Sequence, residues 1–287
     1  MTGSIPFRKM NGLGNDFVVV DARSGGVALT QDAVRAIADR KEGIGCDQVI
    51  LLEASEDADV FMRIWNADGG EVGACGNATR CVAALIAAEE GRPQVCIETG
   101  SAILGALVNT EGSVTVDMGT PRFRWEEIPL AEPFHDTRGI ELQIGPIDDP
   151  VMHTPSVVNV GNPHCLFFVD DVEAHDLARF GPMLEHHPLF PERANISLVQ
   201  VLAPDALKVR TWERGAGLTQ ACGTAACAAG VAAARLGLTG RKVQVTLPGG
   251  DLVIEWRESD DHILMTGPYA LDFEGTLPAS LLQAATV

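Results

Sequence analysis

Cys75 and Cys222 stand in two versions of one segment, Ala74-Cys75-Gly76-Asn77 and Ala221-Cys222-Gly223-Thr224, 147 residues apart. A thiolate is a general base and a thiol a general acid. A pair of them can therefore take a proton from one face of a carbon and return one to the other. Each cysteine precedes a glycine at the start of an Ala-rich helical run. A helix start offers unpaired N–H groups and partial positive charge, which lower a thiol pKa and attract a carboxylate. The neighbouring glycine lets a ligand come close to the backbone. The chemistry that fits is removal of the α-hydrogen of an amino acid by one sulfur and reprotonation by the other. The developing negative charge would be held by the same N–H donors. That reaction needs no organic cofactor.

The repeat extends beyond the thiols. Arg63 and Trp65 precede Cys75 at the distances at which Arg210 and Trp212 precede Cys222, and Gly14-Asn15 and Gln48 recur as Gly161-Asn162 and Asn195. A duplicated fold follows, with one cysteine in each half. The periodicity predicts strands at 17–20, 48–53, 60–65, 95–99, 102–108 and 113–117 in the first half. It also predicts a short amphipathic helix at 31–40 capped by Thr30, and a central helix at 77–90. The second half predicts strands at 165–169, 196–202, 207–212, 242–247, 251–256 and 263–267. Helices are expected at 174–180 and 224–236. The last is small-sided all round and belongs inside a curved sheet. The expected architecture is α+β: two pseudo-symmetric domains, each a curved mixed sheet wrapped around a central helix. Their expected boundaries are 1–119 with 269–287, and 120–268.

The other five cysteines, at 46, 81, 96, 165 and 227, are read as small buried hydrophobes. Cys81 and Cys227 lie off the helix faces of Cys75 and Cys222, and no Cys-x-x-Cys or His-Glu-x-x-His occurs, so no metal site is expected. An odd cysteine count without a secretory leader points to reduced thiols in the cytoplasm. A net charge of −18 argues against nucleic-acid binding, and no apolar run is long enough for a membrane helix. Gly12-Leu13-Gly14 is not a dinucleotide fingerprint, because it precedes a strand and opens no helix.

Several spaced motifs resemble the diaminopimelate epimerase family over nearly the entire chain. They are Lys9 to Phe17, Gly45-Cys46-Asp47-Gln48, Asn66-Ala67-Asp68-Gly69, Cys75-Gly76-Asn77, Gly161-Asn162-Pro163-His164-Cys165, Glu213-Arg214-Gly215 and Ala221-Cys222-Gly223-Thr224. The resemblance implies cofactor-independent interconversion of LL- and meso-diaminopimelate, on the route to lysine and the bacterial cell wall, by a homodimer. It implies Cys75 and Cys222 as the acid–base pair, with the backbones of Gly76, Asn77, Gly223 and Thr224 around the reacting carboxylate. Glu213, with Asn15 and Gln48, would engage the reacting amino group or order the cleft. Asn66, Asn162, Asn195 and Arg214 would read the distal carboxylate. His164 is open between a structural histidine and a partner of Glu213, and Asn15 and Asn66 also suit ordinary turns. Three positions depart from the family pattern: Ala78 and Ala225 replace frequent glycines, and Leu218 replaces a frequent glutamate. Leu218 leaves room for a same-fold racemase of another amino acid. A thiol redox or ligand-binding protein is the reading from another class.

Overall fold

The computed structural model describes residues 5–282 and divides into two compact units. One runs to Val116 and resumes at Gly267; the other spans Asp117–Thr266. Residues 1–4 and 283–287, assigned above to the first domain, lie outside the described residues.

The first unit starts with a hairpin of β1 (Ile5–Gly12) and β2 (Asn15–Asp21). Its two-residue turn puts Leu13 at φ 59° and Gly14 at φ 79°, and it pairs Gly12 with Asn15. Primed turns of this kind match the twist of antiparallel strands. A buried leucine in the left-handed region costs about 1–2 kcal/mol, so the surrounding structure holds it there. Next come α1 (Gln31–Ala38), β3 (Gln48–Glu53), β4 (Val60–Asn66), β5 (Glu71–Val72) and α2 (Gly76–Glu90). The unit continues through β6 (Gln94–Thr99), β7 (Ile103–Val108) and β8 (Ser113–Asp117). Thr30 caps α1 by accepting from the Ala33 N–H at 3.2 Å. β2 runs parallel to β3, β3 antiparallel to β4, and β4 parallel to β6, after which β6, β7 and β8 form a meander.

The second unit opens with a small ladder of β9 (Gln143–Ile144) and β10 (Met152–His153), then β11 (Ser156–Asn159) and β12 (Pro163–Phe168). There follow α3 (Leu177–Glu185), β13 (Asn195–Ala203), β14 (Ala206–Glu213), β15 (Gly217–Leu218) and α4 (Gly223–Arg235). β16 (Lys242–Leu247), β17 (Gly250–Trp256) and β18 (Ile263–Pro268) complete it. The pairing repeats that of the first unit: β11–β12 antiparallel, β12–β13 parallel, β13–β14 antiparallel, β14–β16 parallel, then β16–β17–β18 antiparallel. The described residues end with β19 (Ala270–Leu277), antiparallel to β1, and α5 (Ala279–Leu282).

Both central helices are buried around most of their circumference, α2 from Asn77 to Ala84 and α4 from Ala225 to Ala233. Small side chains make that possible by letting strands close in from several sides. At Gly230 an added Cβ would stand 3.0 Å from Ile254 Cγ2.

Two sequence expectations are corrected here. The helix expected at 174–180 forms at Leu177–Glu185, because Asp176 caps the Arg179 N–H and burial of Leu184 and Glu185 carries the helix past Pro182. Cys96 is exposed, since β6 alternates and Cys96 faces outward between the buried Val95 and Ile97. Cys46, Cys81, Cys165 and Cys227 are buried. Among the described residues no helix is long and apolar enough to cross a membrane, and no group of three or more His, Cys, Asp or Glu is placed to hold a metal ion.

Candidate active site

In the first unit the strand register gathers the polar residues at one end of the sheet. Phe17 pairs with Gln48 and Gln48 with Asn66, so β2, β3 and β4 bring Asn15, Gln48 and Asn66 to neighbouring strand ends. Gln48 Nε2 donates to Asn66 Oδ1 at 2.9 Å. Cys75 is the N-cap of α2, with extended backbone and no capping hydrogen bond from its side chain. That leaves its sulfur available for other partners. The Sγ lies 3.8 Å from Asn15 Oδ1, and Asn77 Nδ2 donates to the same oxygen at 3.3 Å. Asn15 Nδ2 in turn donates to Asp47 Oδ2 at 3.0 Å.

Below this lies an ionic cluster. Lys9, almost fully buried, donates to Asp16 at 2.6 Å and to the Gly45 carbonyl, and Arg40 reaches both Asp16 and Asp47. Burial alone would raise the Asp16 carboxyl, but the Arg40 and Lys9 hydrogen bonds outweigh it and hold the group well below the usual carboxylate range. Asp16 and Asp47 also accept each other's backbone N–H, which ties the hairpin turn to the start of β3.

The second unit repeats the arrangement with different residues. His164 pairs with Asn195 across β12 and β13, and Ile196 with Trp212, so Asn162, Asn195 and Glu213 occupy the strand ends held by Asn15, Gln48 and Asn66 in the first unit. Asn195 donates to the Pro163 carbonyl at 3.0 Å and accepts the Arg214 N–H at 3.0 Å. Arg214 is exposed, and its guanidinium donates to the Glu192 carbonyl at 2.9 Å. It does not form a surface pair with the neighbouring Glu213.

Cys222 is the N-cap of α4 and is buried. The sequence led us to expect a thiol lowered by the helix terminus; the structure reverses that. Burial drives the Cys222 thiol well above the ordinary 9.0, and the Glu213 carboxylate adds to the rise. Thr224 Oγ1 at 3.5 Å and the Ala225 N–H act in the opposite direction without overcoming it. Glu213 is likewise raised by burial, and hydrogen bonds from Thr219 Oγ1 and the Cys222 thiol moderate the rise. The raised Cys222 thiol thus lies against the Glu213 carboxylate and hydrogen-bonds to it.

His164 is fully buried. Its Nε2 meets Asn162 Oδ1 at 2.8 Å, not Glu213, and burial followed by the Arg214 charge lowers its pKa from 6.5 to about 3. It is a neutral support for Asn162.

Sequence reasoning missed four supporting residues: Asp47, Arg80, Glu185 and Thr219. Glu185 is buried, accepts from Trp212 Nε1 at 2.7 Å and from the Gly215 N–H at 3.0 Å, and so anchors the turn after Glu213 to α3. Gly181 makes the contact possible, since a Cβ there would come within 2.4 Å of Trp212 Cγ. Of these only Asp47 stood inside a motif quoted above, and none recurs in the other half in a way that would have marked it. Leu218 is exposed, and its neighbour Thr219 supplies the hydrogen bond to Glu213.

Paired cysteine helix caps on a duplicated sheet-and-helix fold define a class, and solved structures share that fold. A phenazine biosynthesis protein of the PhzF family from Bacillus anthracis matches with a TM-score of 0.68 at 18% identity, over 96% of this chain and 100% of that one. A hydroxyproline epimerase from Agrobacterium vitis matches at 0.67 with 15% identity, over 96% and 93%. The family model described as diaminopimelate epimerase matches residues 7–124 and 156–271. Diaminopimelate epimerases from Rhodopseudomonas palustris (strain BisB18) and Methylobacterium sp. (strain 4-46) are 54% and 56% identical, each covering 97% of this chain and 96% or more of the relative. The chain belongs to the diaminopimelate epimerase family and is an isomerase.

Proposed function

We propose that this enzyme interconverts LL- and meso-diaminopimelate by a two-base mechanism, with Cys75 and Cys222 acting on opposite faces of one α-carbon. The observation that carries the reading is the buried Cys222 thiol set against Glu213 at the start of α4, in a segment duplicated around Cys75. In one direction Glu213 takes the Cys222 proton, and the resulting thiolate removes the α-hydrogen. The Cys75 thiol then delivers its proton to the other face of the carbanion. The reverse reaction exchanges the roles. The α-carboxylate sits at the helix N-termini, against the N–H groups of Gly76, Asn77, Gly223 and Thr224, which also hold the developing enolate charge. Asn66, Asn162, Asn195 and Arg214 read the distal carboxylate, while Asn15 and Gln48 face the amino group. Exposure of Arg214 lets its fork exchange the Glu192 carbonyl for a bound carboxylate. The enzyme is proposed to work without an organic cofactor, as a cytoplasmic homodimer supplying lysine and peptidoglycan precursors.

The test is turnover of LL-diaminopimelate in deuterated water, reading α-deuterium by mass spectrometry and the meso product by chiral chromatography. Replacement of either Cys75 or Cys222 by alanine should abolish epimerisation while leaving the circular dichroism unchanged. Full activity in either variant would end the two-base reading. Faster turnover of a single-centre amino acid such as proline would move the enzyme to a same-fold racemase.

A further inference from the structure

Arg80 lies five residues after Cys75 on α2 and is the largest side chain in the described chain that is fully buried. Its Nη2 donates to Asn77 Oδ1 at 2.9 Å, and its Nε donates to the Pro268 carbonyl at 3.2 Å. From there the hydrogen bonds run in one direction: Asn77 Nδ2 to Asn15 Oδ1, then Asn15 Nδ2 to Asp47 Oδ2. An asparagine amide can face either way, whereas a guanidinium only donates and an ionised carboxylate only accepts. The two ends of the relay therefore set the orientation of both amides between them. Turning either amide would bring two donors or two acceptors together. Gly12 completes the arrangement, because a Cβ there would stand 3.1 Å from Arg80 Nη2.

We infer that Arg80 and Asp47 are positioning residues that together fix an acceptor oxygen, that of Asn15, against the Cys75 sulfur. An acceptor at this point favours the protonated thiol, since a hydrogen bond to the neutral form disfavours the charged one. Cys75 then rests as the proton donor on its face. The same oxygen can take an N–H of the substrate ammonium, whereas an amide NH2 in its place would repel it. The inference deepens the two-base reading and rests on it for its catalytic meaning. Charged groups tied to this cluster are Arg80 and Asp272, both of which act on Cys81 of the same helix, itself pushed up to about 12 by burial, and Asp16 in β2 and Asp47 just before β3, which meet at the hairpin. Asp47 and Arg80 are the ones changed in the variants below, and loss of the Arg80 charge would by itself raise the Cys75 midpoint, against the expected fall.

The experiment is the pH dependence of iodoacetamide alkylation at Cys75, resolved by peptide mass spectrometry in the full-length protein. Asp47→Asn keeps the relay direction, because Arg80 still fixes one end; its profile should match that of the wild type. Asp47→Asn with Arg80→Gln leaves both ends ambivalent, and the midpoint should fall by about one pH unit, a tenfold gain in thiolate at a fixed lower pH. Asp47→Asn with Arg80→Lys restores a donor-only end and should return the wild-type midpoint. An unshifted glutamine variant, or a lysine variant that shifts equally, would overturn the inference. Neutron diffraction of the wild type reads the same point without a substitution: Asn15 deuterons turned toward Asp47 support it, and deuterons turned toward Cys75 overturn it. Failure of the wild type to place solvent deuterium on the α-carbon of diaminopimelate would sink the functional reading while leaving the alkylation result standing.

Discussion

Acid should destabilise this fold through His164 before it titrates most carboxylates. The ring is fully buried, Nε2 faces Asn162 Oδ1 and so carries the hydrogen, and Nδ1 has no hydrogen-bond partner among the described residues. A proton added at Nδ1 would create a buried charge facing Arg214. Burial and that charge lower the folded pKa from 6.5 to about 3, so the folded state stays neutral where the unfolded chain takes up a proton. The contribution is complete above pH 6.5 and declines as pH falls toward 3. Each unit in that window removes about 1.4 kcal/mol, so a step of two units below the upper limit costs about 2.7 kcal/mol. Urea unfolding of the wild type and of His164→Leu across the window isolates the effect, because other titrating groups cancel in the difference. The variant should lose about 1 kcal/mol at neutral pH from the Asn162 hydrogen bond, and the gap should close and then reverse on acidification. Parallel pH profiles for the two proteins would refute the reasoning.

Glu213→Gln removes the acceptor for the Cys222 proton and should reduce α-deuterium exchange by about 10²–10⁴-fold, with circular dichroism unchanged; near-native exchange would dismiss Glu213 as the base. Gly181→Ala drives a methyl into the Trp212 ring and should cost about 1–3 kcal/mol by overpacking, seen as a lower thermal midpoint and a larger proportional loss of activity than stability alone explains. Thr30→Ala removes the α1 cap, which contacts none of the proposed catalytic residues in its hydrogen bond to Ala33, and should cost about 1 kcal/mol while leaving turnover per folded molecule as it was.

Much of the architecture was legible in the chain because it rests on local pattern. Strands at Ser113–Asp117 and Lys242–Leu247 follow from alternation and Gln48–Glu53 from a continuous apolar run, while α4 follows from its nearly uninterrupted small apolar residues and α2 from its Ala-rich composition and the stop at Gly91. The duplication itself could be read from spacing, since equal offsets survive when both copies keep the same strand lengths. β1 and β19 were not assigned from sequence: in β1 Arg8, Lys9 and Asn11 interrupt the apolar alternation, and the strand is stabilised by partners at the far end of the chain. α3 shifted for a similar reason, because burial against Trp212 rather than local propensity sets its C-terminal end.

At the site, residue type and spacing alone singled out the two cysteines and the recurrence of Asn15 and Gln48 as Asn162 and Asn195, whereas Asn66, Glu213 and Arg214 were expected only from the family resemblance. The state of the Cys222 thiol depended on tertiary structure. A helix terminus acts locally and would lower it, whereas burial and the approach of Glu213 raise it, and both depend on how strands distant in sequence pack together. His164 follows the same rule: its proton affinity is decided by enclosure, and its partner by the β12–β13 register. The direction of the relay from Arg80 to Asp47 likewise belongs to three dimensions. Asparagine is symmetric in its hydrogen-bonding reach until the groups at its two ends are in place.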